Sequence, residues 1–462
     1  MEQLKNTYKV IAFAIPISTS ILVSMLSSFF ALLMVAQLGK LELAAAALAV
    51  PTFMTIMTTF SMIFYSVGIL ICHTNGQHSS PKMIGQIVKN GFWLAVILLI
   101  PSSIILWNIQ KILIFCKQDP DIVARTSLYF HFSVFSMIST LICAIIAQFF
   151  VGIGKSKFTL ISSAVNLPMI LFLSNGFILG NFGFPKLGLA GASFAVFLSQ
   201  ILSSIPIIIY MMTNKNLKKY CIFSGSFWPN GTLIRKIFTL GLPIGLQFGG
   251  ELAAMTVATY FMGFFGVTAL AASQIVSQYS ILFIMIVLGL SQGMSLLMSE
   301  AYAKQDIALI RLYVNSSLNI VLMLFILIFP LFFFFPEILT KMYISAGNIN
   351  NSNFMVLTNH LFAIASILIL MDGLRNILSG ALRGLQDSKT PMKIGVSCLW
   401  LVSLPISYLV AFVFNGGPVG LRAAFISGYA VAAMLLWIRV QKKIANLTDK
   451  ESSILKGSLL EA

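Results

Sequence analysis

Apolar runs long enough to cross a bilayer recur from one end of this 462-residue chain to the other. A helix needs about 20 residues to cross the hydrocarbon core. Inside that core every backbone N–H and C=O must be satisfied by a helix or by a closed barrel. Barrel strands alternate apolar and polar residues, and these runs do not, so the chain must be a helical membrane protein. Composition agrees: 58% of residues are hydrophobic and 9% charged, where a soluble domain carries about 25% charged residues. Twelve helices are expected, at 8–38, 44–72, 85–110, 122–152, 158–180, 187–213, 235–265, 269–301, 309–335, 354–384, 392–414 and 418–440, with polar connections such as Asn75-Gly76-Gln77 and Asn348-Ile349-Asn350-Asn351. The first apolar run is too long for a secretory signal and has no small-residue cleavage pattern, so it is read as a span.

The chain carries 29 Lys and Arg against 13 acids, a net charge of +16. This is not a nucleic-acid footprint, because no basic stripe is interleaved with aromatic residues. The basic residues sit in short connections. With the amino terminus inside, inner segments carry roughly three times as many of them as outer ones, which by the positive-inside rule puts both termini in the cytoplasm. The cysteines (Cys72, Cys116, Cys143, Cys221 and Cys398) are odd in number, scattered and without a CxxC pair, so they read as small buried hydrophobes. His73, His78, His131 and His360 have no ligand spacing to one another. Gly154-Lys155-Ser156 matches the end of a phosphate loop, but Phe149 stands where its first glycine belongs. No nucleophile elbow or hydrolase carboxylate pair is present, so neither an enzyme nor a bound cofactor is expected.

The chain repeats itself. Ala14-Ile15-Pro16-Ile17 aligns with Gly241-Leu242-Pro243-Ile244, and at the same offset Leu38-Gly39 with Ala44–Ala47 aligns with Phe265-Gly266 and Ala269–Ala272. Pro185 with Leu187-Gly188-Leu189 answers Pro418 with Val419-Gly420-Leu421. Six spans per half is an even number, so both halves enter from the same side. The expected architecture is all-α: two six-helix bundles related by a parallel pseudo-two-fold repeat, with a cavity between them. The division reads as residues 1–213 for the first lobe, 214–234 for a basic cytoplasmic linker, 235–440 for the second lobe and 441–462 for a cytoplasmic tail.

The halves differ in one chemical respect. Glu251 lies near the centre of the apolar stretch Thr239–Phe265, and the repeat sets it opposite Ser24. A carboxylate at such depth is costly and usually functional. Around it, Gly241, Gly245 and Gly249 recur every four residues and let a neighbouring backbone approach. Pro16 and Pro243 each remove a helix hydrogen bond and should bend their spans. Asp372 is the other deep acid. Gln274 and Gln278 share a face of the eighth helix, and Asp372 and Asn376 share a face of the tenth. Two carboxylates with amide oxygens offer hard ligands for Na⁺, or a seat for a proton, at Glu251 and Asp372. A purely structural reading stands beside this one: Arg375, three residues past Asp372, is placed to neutralise it.

Several stretches resemble the multidrug and toxic compound extrusion (MATE) family, and its NorM-like bacterial branch in particular. These are Met34-Val35-Ala36-Gln37-Leu38-Gly39 with Ala44–Ala47, Gly241-Leu242-Pro243-Ile244 leading to Glu251, and Ala271-Ala272-Ser273-Gln274-Ile275. Asn166, Phe182-Gly183-Phe184-Pro185 and Gly188 add to them, as do Asp372, Gly380-Ala381-Leu382-Arg383-Gly384 and Asp387-Ser388-Lys389-Thr390-Pro391. The resemblance covers nearly the whole chain. It implies a V-shaped pair of bundles in a bacterial cytoplasmic (inner) membrane that exports small lipophilic cationic drugs by antiport against H⁺ or Na⁺. Family coupling roles carry over to Glu251 and Asp372, and to Gln278 at a position that is usually Asn. Ala31 stands where the family commonly has a first-span acid, and Leu368 where it often has a tyrosine, so coupling is expected to rest on the second lobe alone. A subset of the 39 Phe and 22 Met facing the cavity would suit flat cations. A monomer is expected, since one chain closes its own cavity. Two other readings are weighed: a lipid-linked oligosaccharide flippase of related fold, which would want a cationic cavity, and a channel, which the buried acid and the repeat argue against.

Overall fold

The computed structural model describes residues 2–77, 79–115, 120–224, 227–343 and 352–460. His78, Cys116 and the Asn348–Asn351 connection lie outside them. Among the described residues the structure is helical without strands, and twelve stretches are long and apolar enough to span a membrane. Each expected span meets an observed one, with three differences. The second span is broken: a 3₁₀ turn, Met62–Phe64, separates helix Lys40–Ser61 from helix Tyr65–Gly76. The eleventh, Lys389–Val413, contains two π-helical stretches, Cys398–Ser403 and Leu409–Val413. The last helix, Gly417–Leu460, runs well past residue 440. Hydropathy marks where a helix leaves the apolar core, not where its hydrogen bonding stops.

Packing divides the chain into two compact units, Thr19–Gly249 and Met1–Ser18 with Gly250–Ala462. Both boundaries fall inside helices, the first span (Glu2–Ala36) and the seventh (Gly231–Gly263).

In the unit Thr19–Gly249, the glycine stripe of the seventh span lies against the second span. A Cβ on Gly241 would come within 2.1 Å of Ile63 O, and one on Gly245 within 2.2 Å of Thr59 O. Gly249 meets Thr59 Oγ1 in the same way. Pro243 sits within this helix, which is continuous across it, as the first is across Pro16. The segment before the seventh span is fastened to the third span (Pro81–Phe115). Lys89, buried there, donates to Ser224 O at 2.6 Å, Trp93 Nε1 donates to Phe227 O at 2.7 Å, and Asn90 Oδ1 accepts from Asn230 N at 2.7 Å.

In the other unit, the eighth span (Val267–Ala303) and the tenth (Ser352–Gly384) form the most extensive helix pair. Glycines again set the approach: a Cβ on Gly380 or Gly384 would lie 2.5 Å from Ser291 Oγ or Ser295 O. Val287, Leu290, Met294, Ile377, Leu378 and Leu436 build the core around this contact. Beyond the tenth span, Asp387 ties three segments together. Its Oδ1 accepts from Thr390 N and Oγ1 at 3.2 and 2.8 Å, and its Oδ2 accepts from Arg439 Nη2 at 3.0 Å, with Lys443 Nζ at 3.8 Å. Burial works to raise this carboxyl's pKa, but the bonds from Thr390 and Arg439 and the charge of Lys443 outweigh it and hold it below the ordinary carboxylate value.

Candidate functional site

The seventh, tenth and twelfth spans bring one charged cluster together inside the unit formed by Met1–Ser18 and Gly250–Ala462. Three residues at i, i+3 and i+4 of the tenth span, Asp372, Arg375 and Asn376, share a face. Arg375 reaches across to the seventh span and takes both oxygens of Glu251: Nη1 donates to Oε1 and Nη2 to Oε2, the latter at 3.0 Å. The same guanidinium donates to Asp372 Oδ1 from Nε at 3.0 Å and from Nη2 at 2.6 Å. Glu251, Asp372 and Arg375 are 9%, 3% and 2% exposed. From the twelfth span, the Tyr429 ring lies 5.2 Å from Arg375 Cζ, a cation–π distance.

The hydrogen bonding of Asp372 is lopsided. Its Oδ1 accepts two bonds from Arg375 and one from Asn376 Nδ2 at 3.1 Å. Every bond Asp372 accepts from a described residue falls on Oδ1, and the buried Asn376 Oδ1 has no partner among the described residues. The Asn376 backbone carbonyl, by contrast, is capped by Ser291 Oγ at 2.6 Å. Counted with all three side chains ionised, the cluster carries one negative charge in excess. A buried charge left unneutralised costs several kcal/mol, so this arrangement can take up one proton or one small cation. Among the described residues no group of three His, Cys, Asp or Glu side chains converges, and the guanidinium covers Glu251.

Of the expected polar set, the fold gathers Glu251, Asp372, Arg375 and Asn376. Gln274 and Gln278 are exposed on the eighth span, and no hydrogen bond among the described residues joins them to the cluster. Ser24, the repeat counterpart of Glu251, lines a cavity of about 280 Å³ in the other unit, along with Ser20, Thr140, Ser163, Asn166 and Gln200; no charged side chain among the described residues lines it. Cys72 and Cys398 are buried and Cys143 and Cys221 half-buried, all as free thiols.

The MatE family model matches residues 16–175 and again residues 243–409, so its two matches begin at Pro16 and Pro243, the prolines that the internal repeat aligns. The chain belongs to the MatE family. Relatives of this MatE chain include a probable multidrug resistance protein NorM of Brucella suis biovar 1, 27% identical over 90% of this chain and 88% of the relative. Another, of the same description, from Pseudomonas aeruginosa, is 27% identical over 91% and 86%. The fold is similar to that of the Vibrio cholerae MATE transporter VcmN, a structure solved in the bent form, with a TM-score of 0.82 at 18% identity, covering 96% of this chain and 98% of that one.

Sequence reasoning missed three supports of this MatE site. Tyr429 carries no signal, being one aromatic residue among many in an apolar helix. Ser291 is one of many span serines. Trp400 Nε1 donates to Gly250 O at 3.1 Å, next to Glu251, from a π-helical stretch that no sequence period announces. Arg422 follows a Gly-Pro pair by only a few residues, where the sequence reads as a connection, and it lies within the last span.

Proposed function

We propose that this MatE chain is a secondary exporter of small lipophilic cationic compounds, driven by inward flow of H⁺ or Na⁺ and working by alternating access. The observation that carries the reading is that two largely buried carboxylates, Glu251 and Asp372, share the one guanidinium of Arg375, so that these three side chains, when ionised, sum to one negative charge. One H⁺ or Na⁺ taken up at Asp372 Oδ2 and Asn376 Oδ1, or at Glu251 if the guanidinium swings away, would make the cluster neutral. Ion binding then drives transport only through a difference in affinity between two states of the protein. In the proposed cycle the ion-loaded, neutral cluster favours the state that releases drug outside, and loss of the ion to the cytoplasm resets it. The NorM descriptions of the relatives support multidrug export as the physiological task. The positive-inside pattern supports a cytoplasmic-membrane protein with both termini inside, and a chain that carries both six-span halves itself would work as a monomer.

The test is drug uptake into inverted vesicles under an imposed Na⁺ or proton gradient, for wild type and Glu251→Gln. Uptake driven by one gradient and lost in the variant at equal expression is expected. Full uptake by the variant would remove Glu251 from coupling. No uptake by wild type under either gradient would favour movement of a lipid-linked oligosaccharide.

A further inference from the structure

Arg422 lies in the last span, about two turns or roughly 10 Å along the helix from Tyr429, so it is separate from the acid cluster. Its guanidinium turns onto the eighth span, where Nη2 donates to Ser273 Oγ at 2.8 Å and to Ser277 Oγ at 2.6 Å. Ser273 is buried and Arg422 half-buried. No carboxylate among the described residues pairs with Arg422, and the two deep acids of this unit are both committed to Arg375. A guanidinium carries five N–H donors, and no hydrogen bond from Nε or Nη1 to a described residue is formed. Exposed Gln274 and Gln278 follow Ser273 and Ser277 by one residue each, on the adjoining strip of the same helix. They are the two amides that the acid cluster left out.

A cation within a span is stabilised by a counter-charge or by reaching water. Arg422, half-buried, is held by two neutral hydroxyls, which orient it without neutralising it. We propose that Arg422, oriented by Ser273 and Ser277 and flanked by the Gln274 and Gln278 amides, is a binding site for an oxyanion, either the carboxylate of a zwitterionic cargo or the phosphate of a lipid headgroup. As a statement about cargo, this rests on the exporter reading above; as a statement about binding, it does not.

The test is therefore binding, read as protection against thermal unfolding of the purified full chain in detergent. The first probe pair is a quaternary aryl-ammonium carboxylate and its methyl ester, which share a skeleton and a cation and differ in the anionic end. The second is short-chain phosphatidylglycerol against phosphatidylcholine. A charge-assisted bond is worth enough that losing it should weaken binding by about tenfold or more. Arg422→Gln should lose that preference for the carboxylate over its ester if cargo is the source, or for phosphatidylglycerol over phosphatidylcholine if lipid is. Ser277→Ala keeps the charge and removes one of its two holders. It should give a smaller loss of the same preference, and it serves if Arg422→Gln does not fold. Wild type without either preference, or both variants retaining it in full, would overturn the proposal. Wild type that shows the preference but transports neither compound under a gradient would sink the exporter reading and leave this one standing.

Discussion

Arg375 is the residue on which the buried chemistry turns. Among the described residues it is the one cation paired with both Glu251 and Asp372, so removing it takes that counter-charge away from two buried carboxylates. Arg375→Met is expected to destabilise the chain by about 3–5 kcal/mol, the cost typical of breaking a buried pair from one side. Adding Glu251→Gln and Asp372→Asn removes the stranded charges and should recover most of that loss. Unfolding midpoints of the single and triple variants in detergent check this: a triple variant no better than the single one would mean that Arg375 acts through packing against Tyr429 rather than through charge. Both acids and the arginine were legible in the sequence as rare charges in apolar helices. That one guanidinium bridges two helices, and that the bonds to Asp372 fall on one oxygen, was not legible, because side-chain direction across helices depends on how the helices pack.

Among the elements, close helix approach is the recurrent device. The spacing of Gly241, Gly245 and Gly249 announced a contact stripe, and the second span is its partner in the structure. Gly245→Ala would place a Cβ 2.2 Å from Thr59 O, a backbone atom that cannot step aside. A destabilisation of about 1–3 kcal/mol is expected from such overpacking. Gly263→Ala, at the end of the same helix with nothing within 4 Å of the new methyl, should leave the unfolding midpoint within the scatter of wild type. Equal effects at the two positions would argue against the close approach. The second element-scale device is Asp387. Its pKa is lowered in the folded chain, so its contribution is present above the unfolded value of about 3.9 and is lost as pH falls through the folded value. Asp387→Asn should lower the unfolding midpoint at neutral pH, and the gap from wild type should close as the pH is taken below about 4. The absence of a gap at neutral pH would assign the role to the Thr390 hydrogen bonds, which an amide can still accept, and not to charge.

For the whole molecule, the twofold match of the MatE model and the offset of the internal repeat describe one duplication followed by chemical divergence. One unit kept or gained Glu251 with its arginine; the other holds Ser24 beside an uncharged polar cavity. The charge bias between connections sets an expectation for the entire chain: a fluorescent protein fused after Ala462 should fluoresce, and alkaline phosphatase fused there should be inactive, because both report a cytoplasmic terminus. Active phosphatase at that position would reverse the orientation.

The sequence by itself determined the membrane class, the number of spans, the repeat and the two unusual acids. Each follows from local, one-dimensional physics: hydrocarbon thickness sets run length, backbone hydrogen bonding forces helices, and charge is too costly in lipid to appear there without cause. Tertiary structure alone decided that Arg375 joins Glu251 to Asp372, that Gln274 and Gln278 stand apart from them, that Arg422 is held inside the last span, and that the unit boundaries fall at Ser18 and Gly249 within two helices. These are matters of which faces meet across helices far apart in the chain. A pattern of apolar residues with every face greasy does not encode that choice, because lipid and protein neighbours are equally acceptable to a leucine and only close packing and buried polar bonds tell them apart.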